Sequence, residues 1–217
     1  MPHADIPLAF LEYQATFRDP ILVLHRFYGD VAEAGFRVFR SAGVSLENVV
    51  HRPNPSNLNE VQTTYNFPGG KIVANVSLGS MTVLVKDPAW SEADVFSTLI
   101  RGAVDAICTA GEVTVEKQRA TLALHLQPAG SNRGSPLRGL MTVRDVPLLQ
   151  NASGYGLSVY RSDSAIVVDA SQLYPGALFV RLDCTGTGTT TLGELSERLL
   201  NTEKQVLELL DFQVEGL

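Results

Sequence analysis

The chain has 217 residues, 45% of them hydrophobic and 18% charged, with a net charge of −6. This composition excludes a disordered chain, and the length suffices for one large domain or two small ones with a sizeable core. The negative balance argues against a nucleic-acid partner, because phosphate backbones are bound through clustered lysine and arginine.

The opening "MPHADIPLAF" has neither a basic region nor a long apolar run, so no leader peptide is expected. "LAFLEYQATF" follows, with Ala9, Leu11, Tyr13, Ala15 and Phe17 alternating with Phe10, Glu12, Gln14 and Thr16, which predicts a strand. "RDPILVLHRFYGDVAEAGFRVFRSAG" predicts a helix. Asp19 is placed to cap it, Pro20 suits its first position and Gly43 its end, while Gly29 and Gly35 are expected to bend or break it. The run "ILVL" is too short to span a bilayer, and no membrane partner is expected. "HRPNPSNLN" reads as a loop, and three strands at hairpin spacing follow over 61–67, 71–78 and 81–86. Ser91 with Asp94 then predicts a boxed helix, with Trp90 stapled onto Val95 and Gly111 at its end.

A strand near 117–126 opens the second half. "QPAGSNRGSPLRG" is a loop carrying Arg133 and Arg138, read as candidate partner contacts because loops on rigid scaffolds often carry recognition. Strands near 140–144, 155–161, 165–170 and 177–183 precede a final helix from Thr191. That helix is acidic (Glu194, Glu197, Glu203, Glu208 and Asp211), which again argues against DNA or RNA. Its leucines exceed a simple stripe, and Leu207 and Leu210 are the residues expected to meet a second chain.

The halves can be overlaid. Ile72 falls on Ile166, Ser77 on Ser171, Met81 on Leu178, Val83 on Val180 and Val85 on Leu182, and both meanders lead into a boxed helix. The expected fold is therefore α+β: an antiparallel sheet from two related strand–meander–helix halves, 1–112 and 113–217, with helices packed on one face. The halves form either two lobes or one continuous domain.

The candidate chemistry is sparse. "LDCTGTGTTTLGELSERLL" has the strand, glycine loop, helix layout of a phosphate-binding loop. It lacks the lysine that such a loop needs, and Thr191 with Glu194 explains the last threonine as a capping box. His3, His25, His51 and His125 show no metal-ligand spacing; His51, before Arg52 at a loop start, is the most plausible functional one. Cys108 and Cys184 are expected as free thiols in a reducing cytoplasm. No catalytic residue, metal ligand or cofactor is assigned.

The order of "PLAFLEYQ" (7–14), "DPAWSE" (87–92), "RATLALHL" (119–126) and "FVRLDCTG" (179–186) resembles a sporadically distributed family of bacterial proteins with no established activity. Leu124 and His125 stand where that family usually has aromatic and asparagine residues. The resemblance implies an accessory role, in phage defence for example. The leading expectation is a cytoplasmic, non-enzymatic binding or assembly protein that docks a protein partner or pairs with itself as a homodimer. The alternative is a small-molecule pocket, or an enzyme of hydrolase or cyclase type, with its site between a curved sheet and a helix.

Overall fold

Alternate burial marks the first strand as its sequence period requires. β1 (Ala4–Phe17) buries Ala9, Tyr13, Ala15 and Phe17 and turns Glu12, Gln14 and Thr16 to the other face. The computed structural model describes residues 4–26, 28–54, 56–57, 60–88, 93–128 and 156–210. The remaining strands among the described residues are β2 (Val49–Arg52), β3 (Gln62–Asn66), β4 (Ile72–Ser77), β5 (Ser80–Lys86), β6 (Val115–Pro128), β7 (Leu157–Tyr160), β8 (Ser164–Ala170) and β9 (Leu178–Thr187). They form a nine-stranded antiparallel sheet in the order β2-β3-β4-β5-β1-β6-β9-β8-β7, which with its helices makes an α+β fold.

The order has a simple logic. β1 lies beside β5, the end of the first meander, and β6 lies beside β9, the end of the second. The registers of the two hairpins also match under the sequence overlay. Ile72 pairs with Val85 and Ala74 with Val83 in the first, as Ile166 pairs with Leu182 and Val168 with Val180 in the second. Compact units do not follow the halves. One unit comprises Met1–Phe10, Thr121–Cys184 and Glu197–Leu217, the other Leu11–Ala120 and Thr185–Ser196.

In the second of these units α1 (Val23–Arg26) and α2 (Tyr28–Phe39) are followed by a 3-10 turn closed by Gly43 at φ 90°, as its position in the sequence suggests. Gly35 does not break α2. It keeps a Cβ out of the space taken by the Tyr65 ring and hydroxyl. Tyr65 is fully buried, meets Phe39 edge-on at 5.0 Å, and donates its hydroxyl to the Ala32 carbonyl at 3.1 Å. Helix α3 (Ala93–Gly111) packs on α2 and ends at the predicted glycine. Residues 89–92, with Ser91 and the Trp90 staple, lie outside the described residues.

Val49–Arg52 corrects the loop expectation at its start. These residues form an edge strand on β3, with His51 opposite Thr63. In the other unit the core is built from Leu122, Leu124, Leu126, Ile166, Val168, Val180 and Leu182, together with Leu199 and Val206 of α4 (Leu192–Leu209). None of the described helices is long and apolar enough to cross a membrane.

Candidate functional site

The Gly/Thr segment folds first as strand and only then as loop. β9 runs to Thr187, four residues beyond the predicted end. Several backbone N–H groups of the segment are engaged within it. Thr187 N donates to Thr190 Oγ1 at 2.9 Å, Thr190 N to the Thr187 carbonyl at 3.1 Å, and Thr191 N to Glu194 Oε2 at 2.8 Å. Glu194 N returns to Thr191 Oγ1 at 3.2 Å, which completes the capping box.

The carbonyls face inward. Buried Gln118 donates Nε2 to Thr190 O at 2.6 Å and Thr187 O at 3.1 Å, and its Oε1 accepts the Tyr13 hydroxyl at 2.8 Å. Burial is the first cause that pushes the Tyr13 phenol far above its ordinary value, followed by the neighbouring Cys108 and Asp105. At Gly188 a Cβ would overlap the Val115 carbonyl oxygen. The glycine is there for close backbone approach.

The other reactive-looking groups are similarly engaged. His125 is buried between Tyr174 and Phe179, with Nδ1 2.9 Å from Ser171 Oγ. That oxygen already accepts the N–H groups of Leu173 (3.2 Å) and Tyr174 (3.0 Å). The hydroxyl proton therefore goes to His125 Nδ1, which fixes the neutral imidazole with its proton on Nε2. A serine oxygen whose lone pairs both accept backbone bonds is a poor nucleophile. His51 holds Thr63 Oγ1 at 3.0 Å across the β2–β3 pair, and burial lowers the pKa of both rings. The side chain of His25, and His3 itself, lie outside the described residues.

Asp183 Oδ1 accepts Thr121 Oγ1 of β6 at 2.6 Å and Arg181 Nη2 at 3.1 Å, the latter a neighbour on the same face of β9 two residues before it. Both cysteines are free thiols, and burial is the main reason both stand above the usual thiol value, Cys108 at about 11. Among the described residues no three His, Cys, Asp or Glu side chains gather as metal ligands.

One open space among the described residues is a polar cleft of about 190 Å³ in the unit containing Thr121–Cys184. The turn between β7 and β8 contributes Arg161 and Asp163, and β8 contributes Ser164. The turn is closed by Arg161 N donating to the Ser164 carbonyl at 2.8 Å. Helix α4 supplies Arg198, Asn201, Thr202 and Gln205, which share one flank at spacings of three and four residues. Cys184 and Thr202 are buried at its base, where Thr202 Oγ1 donates to the Arg198 carbonyl at 2.8 Å. Arg198 Nη1 stands 3.8 Å from Asp163 Oδ2.

The sequence-predicted contacts fare differently. Arg133 and Arg138 lie outside the described residues. Leu210 is buried and Leu207 half-buried, whereas Leu200 is 42% exposed. Leu200 and Leu207 are two helical turns apart and so share the flank of α4 away from the cleft.

Sequence reasoning missed the arginines of the cleft and also Glu203. This carboxyl is 4% exposed, in line with buried Leu199 and Val206, and its Oε1 has no hydrogen-bond partner. Burial raises its pKa to about 7. A glutamate four residues after one core residue and three before the next was the available signal. Comparison with models of known protein families finds no match, and a search of curated proteins finds none.

Proposed function

We propose that the protein is a non-enzymatic binding or assembly protein that acts through protein–protein contacts, with a second copy as its first partner. The observation that carries this reading is the engagement of its reactive-looking groups. Ser171 with His125, Thr63 with His51, and the Gly/Thr segment with Gln118 each hold a turn or strand in place.

Two surface features support the same reading. Leu200 and Leu207 give the outer flank of α4 an apolar character that a solvated helix does not need. Among the described residues the sheet ends at β2 and β7, and an edge strand is a place where another chain can pair; Tyr160 on β7 is 76% exposed. The matched hairpin registers support descent of the two halves from one duplicated unit.

Light scattering against concentration tests the reading. The mass should rise above the 23.5 kDa of one chain, and Leu200→Asp with Leu207→Asp should hold it there. Leu200→Asp alone, at an exposed position, should weaken association without loss of fold. An unchanged mass curve for a folded double variant would rule out this flank.

A further inference from the structure

We infer that the polar cleft between the β7–β8 turn and α4 binds a small molecule carrying an oxyanion, a carboxylate or a phosphate, with Arg161 and Arg198 as its principal holders. The inference stands apart from self-association, since the cleft and the Leu200–Leu207 flank lie on different sides of the helix.

Arg161, Arg198, Asn201 and Gln205 line one space, against a single carboxylate, Asp163, to which the Ser164 hydroxyl donates at 3.4 Å. In a chain of net charge −6 this is a local excess of positive charge and of N–H donors. Planar guanidinium forks match the paired oxygens of carboxylate and phosphate. Arg161 forms no ion pair among the described residues. Arg198 Nη1 lies 3.8 Å from Asp163 Oδ2, so this arginine and the single carboxylate of the lining stand side by side.

Size sets the rest. At about 190 Å³ the cleft is below the usual range for drug-sized ligands, which suits a small anion. Asp163 can accept a hydroxyl or amino group on the same ligand. The base is chemically quiet: Thr202 directs its proton to a backbone carbonyl, and the Cys184 thiol is held protonated by burial. The site is therefore one of binding, with no bond made or broken.

The test is an amide NMR titration with inorganic phosphate and with malonate as separate probes, against sodium chloride at equal ionic strength. Saturable shifts are expected at the amides of Arg161, Ser164, Asn201 and Gln205 with at least one probe, and the probe that gives them identifies the oxyanion. Arg161→Gln with Arg198→Gln should weaken that binding by about tenfold or more. Arg37→Gln with Arg40→Gln, an equal change of net charge at exposed positions elsewhere, should leave it intact. Arg161→Gln alone serves if the double variant is poorly folded, with a smaller loss in the same direction. Absence of saturable shifts with both probes, or equal affinity in wild type and the cleft variants, would overturn the inference.

Discussion

Glu203→Gln is expected to stabilise the protein at pH 8 by up to about 3 kcal/mol and to have almost no effect near pH 4.5. The wild-type carboxyl titrates near 7 when folded, raised by burial from an ordinary value of 4.5. A group whose folded pKa is raised contributes its stability in full below the unfolded pKa. That contribution is lost as pH rises through the folded pKa, here between 4.5 and about 7. Above that range the chain carries a buried anion with Oε1 unpaired. Glutamine keeps the shape and removes the charge. His125 and His51 slope the other way, because their lowered folded values give stability above pH 6.5 that is lost on acidification. They are common to both proteins, so the difference in urea-unfolding free energy isolates Glu203. A difference that does not change between pH 5 and pH 8 would show that the carboxyl is solvated.

Gly188→Ala is expected to cost about 3 kcal/mol, the upper end of ordinary overpacking. The added methyl meets the backbone carbonyl of Val115, which has no rotamer with which to yield. Moving the strands apart also loosens the Gln118 bonds to Thr187 and Thr190. For a chain of this length the loss corresponds to roughly 6–12 °C in Tm. Gly193→Ala is the internal comparison. It lies in the first turn of α4, where a Cβ meets only Thr191 Oγ1 at 3.9 Å, and it should stabilise by up to about 1 kcal/mol. Opposite signs five residues apart are what a packed scaffold predicts. A ligand loop would instead show a neutral Gly188→Ala in the absence of ligand.

The contrast between these glycines also shows what the sequence could and could not reveal. Local signals were legible: the two-residue period of β1, the hairpin spacing of the strands over 61–86, Gly43 as a helix stop, and the Thr191–Glu194 box. Each depends on residues within a few positions of one another. The meaning of Gly188 depends on Val115, and that of Gly35 on Tyr65, partners that only the sheet topology brings close. β2 was hidden because four residues beside a proline-rich loop carry too little periodicity to separate strand from loop. Of the site, the absence of the phosphate-loop lysine was legible; of the two leucines that the sequence singles out, Leu207 is half-buried and Leu210 is buried. The cleft was not legible, because Arg161 and Arg198 come from a hairpin turn and a helix with no shared motif. Glu203 was counted with the solvated acids of its helix, since composition does not distinguish a buried carboxyl from an exposed one.

The central claim is that the polar segment between Cys184 and Thr191 is architecture. Amide hydrogen exchange of Thr187, Thr190 and Thr191, with and without magnesium-ATP, tests it most directly. The hydrogen bonds described here predict slow exchange at all three amides, with rates that the nucleotide leaves unchanged. Fast exchange that slows on addition of the nucleotide would contradict the account and restore the segment as a phosphate-binding loop.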